Sequence, residues 1–140
     1  MTRKRIYTAI PKYLIFAHDH ILQFVLANDG APLTPYSGPF WLLDTVDREA
    51  IRESNELYIE AADEIWVFGV DKPDLFEGWE VNNLSVTDGV VEEIKTAKEQ
   101  DIPVKLHHVE VDSQLIMTRG YLDDQEELSI SNRSAEPNLY

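Results

Sequence analysis

Two adjacent glutamates, Glu92 and Glu93, stand in residues 87–104, TDGVVEEIKTAKEQDIPV, a glycine-opened helical pattern that runs into a strand. Neighbouring residues on a helix point about 100° apart, so the pair cannot share a face. On that wheel Val90, Ile94 and Ala97 fall in one arc with Val91 at its edge, and the arc must pack on the rest of the protein. Glu92 points roughly opposite and has Lys95 three residues on, the spacing of an ordinary surface ion pair. Glu93 lies about 60° from the arc, beside Val90 and Ala97, where a carboxylate can reach over a sheet edge. Close to a helix start, unpaired N–H groups favour negative charge and predict an ionised side chain. An ionised, inward-turned glutamate can act as a nucleophile or stabilise a developing positive charge. Gly89 lets a ligand approach the backbone closely, and Thr87 and Asp88 can cap the helix or hydrogen-bond a hydroxyl. The same spacing equally describes a partly exposed flank residue after a plain glycine turn.

The elements that must position these residues follow from periodicity. RIYTAI (residues 5–10) has strand character, and from Pro11 a helical stripe of Leu14, Ala17, Ile21, Phe24 and Val25 runs to a glycine stop at residues 28–30. APLTPY (31–36) is a second strand candidate. Asp44 or Thr45 is placed to cap a helix with Asp47 and Glu49 at its positive end and Ile51, Ser54, Leu57, Tyr58 and Ala61 in period. EIWVFGV (64–70) is almost continuously apolar, as a strand covered on both faces would be. Residues 71–86 lack a clear period and are long for a connection, which marks a lid or binding loop. PVKLHHVEV (103–111) returns to strand character. Alternating strands and helices predict an α/β domain over residues 1–120, a Rossmann-like or flavodoxin-like three-layer sandwich around a mostly parallel sheet of four to five strands. Ligands in such sheets sit beyond the carboxyl ends of the strands. Residues 121–140, rich in acids, Ser, Asn and Pro, read as a flexible tail.

ADEIWVFG followed by TDGVVEEIKTAKEQDIPV resembles the nucleoside 2-deoxyribosyltransferase-like superfamily. That group has an aspartate leading into an apolar strand, then a small residue, any residue, glycine, three residues and glutamate. Asp63, Thr87, Gly89 and Glu93 fall at those positions, and Glu92 falls off the motif. The likeness extends to RIYTAI, where the family has an aromatic in its first strand, which makes Tyr7 a site candidate. Two positions differ: the family usually has an aspartate where Thr87 stands, and another where Asn55 stands, eight before Asp63. The family's glycine-rich stretch after the first strand is replaced by PKYLIFAHDH. What the resemblance implies is N-glycosidic bond chemistry on a nucleoside or nucleotide. Glu93 would attack the anomeric carbon, Tyr7 or Asp88 would supply or relay a proton, and Thr87, Gly89 and Asn55 would contact substrate. The alternative is a non-catalytic nucleoside- or nucleotide-binding module of the same fold. Family members complete their sites with a neighbour's residues, so a homodimer or higher homo-oligomer is implied.

Trp79 and Phe76, with Phe40 and Trp41, are aromatic faces that could stack on a base or simply cover the core. A net charge of -14 repels nucleic acid and anionic membrane. Such an acid excess fits adaptation to high salt and fits plain solubility as well. The absence of cysteine removes disulfides, thiolate nucleophiles and cysteine-ligated zinc. His18 and His20 point to different sides of a helix and His107 and His108 to opposite faces of a strand, so no metal site is expected. Neither a lysine-type phosphate loop nor a dinucleotide fingerprint occurs, and no cofactor is expected. The basic start is followed by only a short apolar run before Pro11, and residues 13–27 are too polar to span a bilayer, which predicts a cytoplasmic protein.

Overall fold

A computed structural model describes residues 3–35, 47–70, 78–111, 116–119 and 128–132, with the backbone alone at residues 48, 111 and 116–119. Strand β1 (Lys4–Ala9) leads through a 3-10 turn (Lys12–Ala17) into helix α1 (His18–Ala27) and strand β2 (Gly30–Leu33). Helix α2 (Arg48–Ala61) precedes β3 (Glu64–Gly69). A hairpin of β4 (Trp79–Val81) and β5 (Leu84–Val86) then enters α3 (Asp88–Glu99), followed by β6 (Val104–Val111), β7 (Ile116–Arg119) and β8 (Ile130–Asn132). The main sheet has the order β2-β1-β3-β6-β7, its first four strands parallel and β7 antiparallel. The fold is α/β with a mostly parallel sheet. A second, antiparallel sheet has the order β5-β4-β8.

Strand alternation divides the core in two. Tyr7, Ala9, Ile65, Val67 and Leu106 share one cluster with Ile59 of α2 and Val90, Val91, Ile94 and Ala97 of α3. Ile6, Trp66, Phe68 and Val109 share the other with Leu14, Ala17, Ile21 and Val25. The buried spacing in this second group is compatible with the 3-10 turn that stands where the stripe predicted a continuous helix. Leu14 and Ala17 are three apart, the 3-10 repeat, whereas Ala17, Ile21 and Val25 are four apart, as an α-helix requires.

Several expectations about connections are corrected. The cap of α2 is Asp47, whose side chain accepts from the Glu49 N–H at 3.0 Å; Asp44 and Thr45 lie outside the described residues. At the end of α1 the left-handed residue is Asp29 (φ 63), not Gly30. Gly30 is needed for a different reason, because a Cβ there would meet Val25 Cγ1 at 2.6 Å and Ile6 Cγ1 at 2.8 Å. The long loop is in part a hairpin: Asn82 (φ 46) and Asn83 (φ 72) form a two-residue turn between β4 and β5. Both residues at positive φ is the combination a tight hairpin demands, and asparagine tolerates it. Within the expected tail, Ile130–Asn132 form β8, and Leu128 and Ile130 pack on the first cluster. Among the described residues no helix is long and apolar enough to cross a membrane.

Candidate functional site

Tyr7 is fully buried, its ring among the apolar residues between the sheet and α3. A buried phenol needs a partner for its O–H, and the hydroxyl donates to Oε2 of Glu93, 86 residues away. Two elements make the meeting possible: alternation on β1 turns Tyr7 and Ala9 toward α3, and the Val90–Ile94–Ala97 stripe seats α3 so that half-buried Glu93 flanks it. Glu92 is exposed, as the wheel requires. Lys95 does not pair with Glu92; its Nζ lies over the Trp79 ring, 5.9 Å from the centroid.

The charge state of Glu93 differs from expectation. Burial pushes its carboxyl up to about 8, and the Tyr7 hydrogen bond, which favours the ionised form, offsets only part of that. Glu93 is the sixth residue of α3, beyond the first turn over which a helix terminus acts. At neutral pH the predominant form is therefore the neutral acid, not the carboxylate that position near a helix start suggested.

The remaining candidates separate into groups. Asp88 is exposed and accepts a hydrogen bond from the Trp79 indole N–H. It stands five residues before Glu93 on the helix, about 140° away, so it is not a second acid at the Tyr7–Glu93 pair. Thr87 holds the N-cap position through its carbonyl, which accepts from Val91 N–H at 3.1 Å, and its side chain makes no cap. Gly89 is exposed, and a Cβ built there would meet only Thr87 Oγ1, at 3.9 Å, so packing does not require glycine and the helix start is open on that side. Trp79, read as either a stacking face or core cover, is half-buried, donates to Asp88 and has Lys95 Nζ over its ring. Asn55 lies one turn before Ile59 on α2, and its Oδ1 is buried with no hydrogen-bond partner. Trp41, Phe40 and Phe76 lie outside the described residues.

Of the histidines, His18 Nε2 is 2.9 Å from Thr34 Oγ1 and Nδ1 is 3.2 Å from Asp19 Oδ1, a tie between the start of α1 and the end of β2. His107 is buried against Phe24, Trp66 and Phe68, with centroids 5.1, 4.6 and 5.2 Å away. Burial lowers its pKa to about 4. Among the described residues no group of three or more His, Asp or Glu is placed to hold a metal ion.

Tyr13 is a residue that sequence reasoning missed. Its hydroxyl donates to the Ser85 carbonyl and accepts from Val70 N–H at 3.1 Å, joining the segment after β1 to the end of β3 and to β5. It precedes Leu14, where the apolar stripe begins, and has no place in that stripe. The Asn82-Asn83 pair between Val81 and Leu84 was the one available signal that a strand lay there to be tied.

No protein-family model matches the chain, and no curated protein matches it. What bears on a reaction is the chemistry of the Tyr7–Glu93 pair itself.

Proposed function

We propose that this protein is a cytoplasmic enzyme resembling the nucleoside 2-deoxyribosyltransferases, which cleaves or transfers an N-glycosidic bond of a nucleoside or nucleotide through Glu93. The observation that carries this reading is the part-buried hydrogen bond from the fully buried Tyr7 hydroxyl to the Glu93 carboxyl. The strand order, with β2 and β3 on either side of β1, suits a Rossmann-like or flavodoxin-like three-layer sandwich. In such folds the ligand crevice opens where the strand order reverses, here between β1 and β3, and Tyr7 pairs with Ile65 of β3.

In the proposed reaction, ionised Glu93 attacks the anomeric carbon while the base leaves with the bonding electron pair and takes up the Tyr7 hydroxyl proton, which the incoming water or second base returns to Tyr7 in the next step. Water or a second base then displaces the carboxylate from that carbon. Retention of configuration follows from two displacements. Tyr7 orients the carboxyl and, by donating a hydrogen bond, favours the ionised form. With a pKa of about 8, roughly a tenth of Glu93 is ionised at pH 7, so turnover rises with pH up to about 8. Asp88, engaged by Trp79, takes no part.

The test is chromatography of a panel of deoxynucleosides, ribonucleosides and nucleotides incubated with the protein. Free base is expected, and Glu93→Gln lowers its release about a thousandfold or more with the fold intact. A variant retaining full turnover removes Glu93 from the mechanism. A second reading, a non-catalytic nucleoside- or nucleotide-binding module, is favoured by the neutral form of Glu93 and by Asn55 where the resembling family has a carboxylate. It predicts a raised melting temperature with ligand and no free base. The proposal includes a homodimer or higher homo-oligomer that completes the site, which light scattering tests; Phe16 and Leu57 are large apolar side chains more than half exposed (59% and 64%) and suit such a contact.

A further inference from the structure

The end of β3 and the β4–β5 hairpin meet more closely than packing alone requires. Val70 forms an antiparallel bridge with Ser85, and Ser85 N–H donates to the Val70 carbonyl at 3.1 Å. One residue earlier, a Cβ at Gly69 would stand 2.9 Å from the Ser85 carbonyl oxygen and 3.1 Å from Leu84 Cβ, so only glycine admits the hairpin this near. The Tyr13 hydroxyl sits astride the junction, donating to Ser85 O and accepting from Val70 N–H at 3.1 Å. Both of these partners are main chain. Its grip therefore depends on backbone position and not on which side chain occupies residue 70 or 85. β5 ends at Val86 and α3 begins at Asp88, with Thr87 alone between them. The seat of the hairpin thus becomes the starting point of α3, and Glu93 is carried five residues further on.

We propose that Tyr13 is a positioning residue for Glu93: its hydroxyl clamps the β4–β5 hairpin to the end of β3 and so sets how deeply α3 lowers the Glu93 carboxyl onto Tyr7. The inference rests on Glu93 being the working group of the site. It goes beyond the proposed reaction by assigning control of that group to a residue that does not touch it. Burial and the Tyr7 hydroxyl are the two influences that displace Glu93 from an ordinary glutamate. Burial is the one a shift of α3 would relax, because a hairpin released from β3 admits water beside the helix start.

The experiment follows the Glu93 side-chain carboxyl by carbon-13 NMR as pH is raised, in the full chain labelled at glutamate, with Glu93→Gln used to assign the signal. Tyr13→Phe removes the hydroxyl and keeps the ring. Its Glu93 midpoint is expected to fall toward the ordinary glutamate range by about tenfold in acid constant. Tyr13→Phe that melts lower but leaves the midpoint in place overturns the proposal, because a merely structural tyrosine behaves that way. Gly69→Ala displaces the hairpin without altering Tyr13 and is expected to move the midpoint in the same direction; it carries the test if Tyr13→Phe does not fold. An unchanged midpoint in Gly69→Ala with a displaced Ser85 amide signal also overturns it. Failure of the reaction is read separately: if the wild type releases no base from the panel while Tyr13→Phe moves the Glu93 midpoint, glycosidic chemistry falls and the positioning role stands.

Discussion

A buried glutamate, Glu64, and a half-buried one, Glu93, stand against the same sheet, and their surroundings treat them oppositely. Glu64, 5% exposed at the start of β3, accepts from Lys4 Nζ at 2.8 Å, Lys105 Nζ at 3.1 Å and Trp66 Nε1 at 2.9 Å. Burial raises its pKa, but the three donors together outweigh burial and hold the carboxyl below the usual range. Glu93, on the other face, has the single Tyr7 hydroxyl, and there burial wins. Two cations and an indole fix a charge, whereas one neutral hydroxyl leaves the proton in balance. Glu64 is built to stay ionised and to join β1, β3 and β6. At Glu93 burial moves the change of state up to about 8.

The largest stability effect expected from breaking this contrast is at Glu64. Glu64→Ala removes an acceptor shared by the Lys105 ammonium and the Trp66 N–H in a largely closed setting. It should cost about 2–4 kcal/mol in urea unfolding, most of it from Lys105 and Trp66 because Lys4 is exposed. A loss below about 0.5 kcal/mol would show that the three-donor site does not hold the sheet together.

Next is the pH dependence carried by Glu93. Its folded pKa lies above the unfolded value, so between the ordinary 4.5 and about 8 the folded state holds a proton that the unfolded state has released. Stability from this group is complete below the unfolded value and falls as pH rises through about 8. Glu93→Gln, which cannot ionise, should therefore match the wild type at pH 4 and exceed it by about 1–3 kcal/mol at pH 9. Parallel curves for the two proteins across that window would show that Glu93 is not buried as described.

The smallest effect is at Tyr7. Tyr7→Phe removes the one donor that favours the ionised carboxyl, so the Glu93 midpoint should rise above about 8, with a stability loss of about 1 kcal/mol at pH 7. A falling midpoint would mean that the loss of the hydroxyl admits water to the carboxyl, and that Tyr7 acts through packing instead.

Much of the fold was legible because hydrophobic period records which face of an element is covered. EIWVFG reads as a strand buried on both faces, and all six residues of β3 are buried. The Val90–Ile94–Ala97 stripe separated Glu93 from Glu92 because a helix fixes the angle between neighbours, whatever lies outside it. Trp79 shows where such reading stops. Its size and place left stacking or core cover open, and its contacts with Asp88 and Lys95, nine and sixteen residues on, could not be read from the sequence. No period relates residues on different elements. The hairpin was likewise hidden, since its strands are three residues each, too short for alternation to register.

By itself the sequence determined the alternation of elements, the face each presents and the identity of the acid that turns inward, since these depend on local geometry repeated along the chain. Only the tertiary structure decided that Tyr7 meets that acid and that Tyr13 ties the hairpin to the end of β3. It also decided the protonation of Glu93, because a carboxyl's charge depends on how much water and how many donors surround it, and those arrive from strands and helices distant in sequence.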